Sequence, residues 1–208
     1  MNRSATRQAD ATSPSSVADQ VRQIQRLTIV WMAIELVGAV FAALWAHSVA
    51  LMAFGADSGI EMLSAAVVLR RFGSRVQIKE ATASLVNAWL LVALALYIVV
   101  DSLYVLFVAD TKPQSSYFGM AVLLASAAAM PWLARRKKQL SDQTHSTSLR
   151  ADAAQSSVCA YLAWIALAGL ILNATIGAEW ADPIAALALL PFIVREARDA
   201  YEGRACCD

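Results

Sequence analysis

Long apolar runs alternate with short polar breaks along this chain. A helix needs about 20 mostly apolar residues to cross hydrocarbon. That rule predicts six spans, roughly 26–46, 48–69, 82–108, 117–134, 153–176 and 180–195. The third is long enough to tilt or emerge into water. The sixth is short, and Pro191 predicts a kink in it. The expected fold is an all-α integral membrane protein with six transmembrane helices. Residues 1–24 are polar and rich in Ser, Ala and Thr, and read as a disordered N-terminal tail. Residues 25–197 form the six-helix domain. Residues 198–208 form a short tail that leaves no length for a further domain. No cleavable signal peptide is evident, so the first run reads as an uncleaved span.

Composition supports the membrane reading. The chain is 59% hydrophobic and 16% charged, where a soluble domain carries about 25% charge. Its partner is therefore a lipid bilayer. A net charge of +1 gives no footprint for nucleic acid. Two of the three cysteines, Cys206 and Cys207, lie in the last three residues, which excludes a disulfide framework.

The placement of charge says more than its sum. Arg3, Arg7, Arg22 and Arg26 precede the first span. Arg70, Arg71, Arg75 and Lys79 join the second to the third. Arg135, Arg136, Lys137, Lys138 and Arg150 fall in a predicted polar loop, 135–152, between the fourth and fifth. Arg195, Arg198 and Arg204 follow the sixth. Of seventeen positive residues, only Lys112 falls on the other side. The positive-inside rule makes the rich side cytoplasmic, with both termini there; the expected location is the plasma (inner) membrane. The outer connections, 47–48, 109–116 and 177–179, are too short for an external domain.

Two carboxylates stand out inside the second span, Asp57 and Glu61. A charge near the bilayer centre costs roughly 2.5–3.5 kcal/mol even on lenient scales. A metal ion, a proton or a buried partner must offset that. Residues i and i+4 share a helix face, so both carboxyls reach one ion. A structural ion pair is the competing explanation, but no Lys or Arg lies mid-span to supply it. Gly55 and Gly59 fall on the opposite side of the helix, where small residues allow close packing.

The fifth span opens with Asp152, Gln155 and Cys159 at i, i+3 and i+7, on one face. Gln155 offers a carbonyl oxygen and Cys159 a thiolate. Glu61 lies nine residues from Arg70 and Cys159 nine from Arg150. Each is then about 13 Å from the inner boundary, so the two can meet at one level. Taken alone, Cys159 reads more simply as a small buried apolar residue. Glu35, within the first span, is a candidate proton site or access ligand. Cys206 and Cys207 either capture a soft ion or form an idle, reduced tail. Asn87 and Asn173 read as interhelical glue. Asp182 before Pro183 reads as a helix cap. Trp45 and Trp180 fit an aromatic belt. Asp101 and His47 read as solvated, Tyr104 and Tyr161 as packing, and His145 as a lone loop histidine.

These residues carry a resemblance. His47-Ser48-x-Ala50-Leu51 followed by Asp57-x-x-x-Glu61 resembles the second helix of the cation diffusion facilitator family. Arg150-Ala151-Asp152 resembles the opening of its fifth helix, and Trp180-Ala181-Asp182-Pro183-Ile184 the start of its sixth. The similarity covers roughly residues 25–200. It implies export of a divalent metal, mostly zinc, in exchange for protons, by a homodimer, with no enzymatic activity. The family's transport site uses two acids on helix 2, then His and Asp four apart on helix 5. Those positions are Asp57, Glu61, Gln155 and Cys159 here. Glu61 lengthens an Asp, Gln155 replaces a His, and Cys159 replaces an Asp. The resulting oxygen and sulfur set favours zinc, cadmium and other soft ions over magnesium or calcium. Asp152 is a candidate secondary site. Two rival readings are a non-transporting membrane metal-binding or accessory protein of the same fold, and a carrier of another cation using only Asp57 and Glu61.

Overall fold

A computed structural model of the chain describes residues 14–73, 80–109 and 113–202. The described residues form six helices: α1 (Pro14–Ala46), α2 (Val49–Gly73), α3 (Glu80–Phe107), α4 (Tyr117–Thr144), α5 (Thr147–Ile176) and α6 (Ala181–Glu202). The first five are long and apolar enough to cross a membrane. α6 is as long as many spans, but its second half carries Arg195, Glu196, Arg198, Asp199 and Glu202.

Contacts at the two ends fix the bundle. At one end, Gln114 N–H donates to Ala46 O, and Asn173 Nδ2 donates to Pro113 O at 3.0 Å. Asp182 joins Ser48 there. At the other end, Gln25 of α1 reaches Asp152 of α5. Successive helices therefore run in opposite directions. α1 lies along α2, α4 along α5, and α3 along α6. α2 touches α1, α3, α5 and α6, so its polar residues fall at the centre.

Apolar side chains outside the bundle face lipid. On α1, Val30, Ile34, Val37, Phe41 and Leu44 form an exposed stripe at helical spacing. Opposite that stripe, Met32, Ala39 and Ala43 are buried in the core. Close packing rests on small residues. A Cβ on Gly55 would meet Val40 Cγ2 at 3.0 Å and Ala39 Cβ at 3.2 Å, so the Gly55–Gly59 face of α2, expected to pack closely, is turned to α1. A Cβ on Gly169 would come within 2.5 Å of Ala185 Cβ, where α5 meets α6.

The helices depart most from the predicted organisation at three places, one of them α6, which runs to Glu202, so residues 198–202 are helical instead of lying in the predicted short tail. α1 begins at Pro14, so residues 14–24 continue the helix instead of lying in a tail, with Val21 and Ile24 packed in the core. Residues 1–13 lie outside the described residues. The polar loop expected over 135–152 is absent. α4 runs to Thr144 and α5 starts at Thr147. His145 takes the left-handed conformation (φ 49°), and its N–H caps Ser141 O. Ser146 then caps α5 by accepting from Leu149 N–H. Two capping residues suffice for the reversal, and the rest of the predicted loop, 135–144 and 147–152, is helical.

Candidate cation site

That extension of α4 carries the residue that changes the site. Of the basic run 135–138, Arg135, Arg136 and Lys138 are exposed and Lys137 is fully buried. Lys137 lies on the α4 face of Met130, Leu133, Ala134, Leu140 and Ser141, all buried. Helical side chains tilt toward the helix N-terminus. On α4 that direction leads from the helix end back into the bundle, toward α2 and α5.

Lys137 Nζ lies 2.9 Å from Asp152 Oδ2 and 3.4 Å from Glu61 Oε1, and donates to Ser156 Oγ at 2.7 Å. Ser156 Oγ also donates to Glu61 Oε1. Gln25 Nε2 donates to Asp152 Oδ2 at 2.7 Å. Four helices, α1, α2, α4 and α5, thus meet in one buried polar network. The expectation that no basic residue could pair with the α2 carboxylates is corrected by this contact. Hydropathy ends the fourth span at residue 134 because it averages over the basic run. The periodicity of Met130, Leu133 and Ala134, carried on through Lys137 and Leu140, was the signal that would have found it.

Asp57 has a different environment. It is 1% exposed, and neither carboxylate oxygen has a hydrogen-bond partner. Buried polar atoms are nearly always paired. The fully buried Cys159 lies beside it. Glu61 keeps one oxygen, Oε2, unpaired. Gln155 is buried, with its Nε2 unpaired. Glu35 of α1 is buried and accepts from Ser58 Oγ at 3.3 Å, one helical step from Asp57.

Asp57, Glu61, Glu35 and Cys159 are near enough to act on one another electrostatically. The same field includes Glu196 of α6, whose two oxygens are buried and unpaired. Sequence reasoning did not single out Glu196. Its place on the charged half of α6 gave it the look of a solvated residue. Among the described residues, no three His, Cys, Asp or Glu side chains stand close enough to hold one metal ion in this conformation. Cys206 and Cys207 lie outside the described residues.

At the opposite end, Asp182 is a cap, but for a helix other than its own. Its Oδ1 accepts from Ser48 Oγ at 2.5 Å, and its Oδ2 accepts from Val49 N–H at 2.8 Å. Ser48 Oγ in turn accepts from Leu51 N–H. The first turn of α6 therefore closes the N-terminus of α2, the helix that carries Asp57 and Glu61. A cavity of about 520 Å³ opens between α3 and α6, lined by Trp89, Leu96, Val194 and Tyr201. Its walls are apolar, and it offers a cation no ligands.

A comparison with individual curated proteins finds no match. The profile of the cation efflux transmembrane domain, by contrast, matches residues 27–201. That stretch holds the carboxylates of α2, their facing residues on α5 and the Asp182 clamp, and it is most of the chain. The protein belongs to the cation efflux, or cation diffusion facilitator, family of membrane transporters.

Proposed function

We propose that this cation efflux protein carries a divalent, rather soft metal ion, zinc or cadmium, out of the cytoplasm in exchange for protons. Asp57, Glu61, Gln155 and Cys159 are the ligands, and both termini face the cytoplasm of a bacterial-type plasma membrane. The single observation that supports this best is Asp57. A carboxylate sealed in the bundle with both oxygens unpaired is expensive unless a ligand or a proton meets it. Cys159 beside it adds a sulfur donor that prefers zinc and cadmium to hard ions.

Carboxylates and thiols deprotonate to bind metal, so loading the site expels protons and unloading takes them up. That exchange is the antiport cycle in its simplest form. α2 and α5 approach from opposite directions, so a small shift of one against the other brings the ligands together or parts them. The functional unit is a homodimer, as in the family, with membrane helices forming the interface.

The ion pair of Glu61 with Lys137 favours a second reading, a non-transporting membrane protein in which a fixed internal cation occupies part of the site. Cadmium uptake into proteoliposomes under a pH gradient separates the two. Transport by the wild-type chain and its loss in Asp57→Asn support the exporter. No transport by a folded wild-type protein supports the second reading, and equal transport by Asp57→Asn removes Asp57 from the path.

A further inference from the structure

We infer that Lys137 is a tethered counter-ion that competes with the incoming metal for Glu61 and so excludes monovalent cations from the site. This rests on the site reading above. The ammonium group sits between Glu61 and Asp152, and it is held more closely by Asp152, at 2.9 Å against 3.4 Å. Ser156 fixes it further by accepting at 2.7 Å. Glu61 Oε1 receives both Lys137 and Ser156, whereas Glu61 Oε2 is unpaired. Glu61 therefore has one oxygen committed to the lysine and one left for a ligand.

Two cations cannot share one buried carboxylate at contact distance without strong repulsion, because little water screens them. A metal that takes Glu61 must loosen the lysine contact. The lysine has a place to stay, since Asp152 and Ser156 keep hold of it. The exchange is then a move of Glu61 from Lys137 to the metal, with Asp152 as the anchor. Gln25 holds that anchor from α1.

Valence decides who wins this exchange. Lys137 already supplies one positive charge to Glu61 from a chain whose freedom was lost on folding. A sodium or potassium ion brings only the same charge, and also loses its hydration and translational freedom. It gains nothing over the resident ammonium. A divalent ion brings twice the charge and meets Asp57 and Cys159 as well. Lys137 thus lowers the affinity for every cation but leaves a divalent soft ion ahead.

The test is cadmium binding to the purified full-length protein by calorimetry, in choline chloride and in sodium chloride at equal ionic strength. Wild type binds equally in both salts. Lys137→Gln binds cadmium at least ten-fold tighter in choline, and sodium weakens that binding. Lys137→Arg keeps the wild-type pattern. Lys137→Gln with unchanged or weaker cadmium affinity overturns the inference, and so does a tighter affinity with no sodium effect. A merely structural lysine lowers thermal stability and leaves both comparisons flat. If Lys137→Gln does not fold, Lys137→Met with Asp152→Leu removes the internal pair together and is held to the same two outcomes. Asp57→Asn in the same titration separates the two failures. If it abolishes cadmium binding while the lysine variants are flat, only the counter-ion role falls. If it binds cadmium like wild type, the site reading falls.

Discussion

Lys137 Nζ and Asp152 Oδ2, 2.9 Å apart and both shielded from solvent, tie the end of α4 to the start of α5. The two helices are joined by a turn of only two residues, so the pair closes a helical hairpin at its narrow end. Gln25 donates to the same Asp152 oxygen and Ser156 accepts from the lysine, while Asp152 Oδ1 has no hydrogen-bond partner. A buried pair with such support is stable as a unit and costly to halve.

Asp152→Ala therefore destabilises the bundle. Removing one partner of a buried ion pair costs up to about 3–5 kcal/mol when the other charge is left alone, and here Glu61, 3.4 Å from the same ammonium, offsets part of that loss. Thermal denaturation in detergent, followed by circular dichroism or aggregation, is expected to show a lower midpoint for Asp152→Ala. Asp142→Ala is the control. Its contact with Arg150 is exposed, at 3.5 Å, and exposed pairs contribute about 0–1 kcal/mol.

The clamp at the other end makes a coupled prediction. Asp182 and Ser48 close the N-terminus of α2 together. Losing a helix N-cap costs about 0.5–2 kcal/mol. Ser48→Ala and Asp182→Ala should each lower the melting midpoint. The double variant should fall by less than the sum, because each single change already breaks the shared contact. Full additivity would show that the two act on different things.

The glycines divide by what stands over them. A Cβ on Gly169 would sit 2.5 Å from Ala185 Cβ and 3.2 Å from Ala181 O, so Gly169→Ala pushes α5 off α6. Overpacking of this kind costs about 1–3 kcal/mol. A Cβ on Gly59 meets Leu36 at 3.6 Å, an ordinary contact. Gly59→Ala should be neutral or should stabilise by up to about 1 kcal/mol through helix propensity. Melting curves of the two variants, run side by side, check the contrast.

The legible parts of this protein are those governed by local rules. The apolar runs marked the helices, and the Gly55–Gly59 spacing identified the α2 face that packs on α1. Asp57 and Glu61 were visible as an anomaly because charge is rare in such a run. What stayed hidden depends on contacts between distant parts of the chain. Lys137 meets Glu61 across 76 positions of sequence, and a basic residue among three others looks solvated until its partner is known. Asp182 likewise looked like the cap of α6, because the α2 N-terminus it closes lies 133 positions away. Glu196 sits among charges on α6, yet both of its carboxylate oxygens are buried in the bundle.

In the proposed site, Cys159 is the residue on which metal preference would turn. It replaces a carboxylate of the family pattern and lies beside Asp57 with no solvent contact. Sulfur favours cadmium over harder ions, while a hydroxyl or carboxylate does not. Cys159→Ser keeps the size and removes the thiolate, so cadmium affinity should fall about ten-fold or more while zinc affinity falls less. Cys159→Asp restores an oxygen ligand and should shift preference further toward zinc. Each variant loses the ultraviolet charge-transfer band that a cadmium–thiolate bond gives, which ties the change to the sulfur itself. An unchanged cadmium-to-zinc ratio in both variants would place the sulfur outside the ion's reach, and would leave Asp57 and Glu61 to hold the ion through oxygen alone.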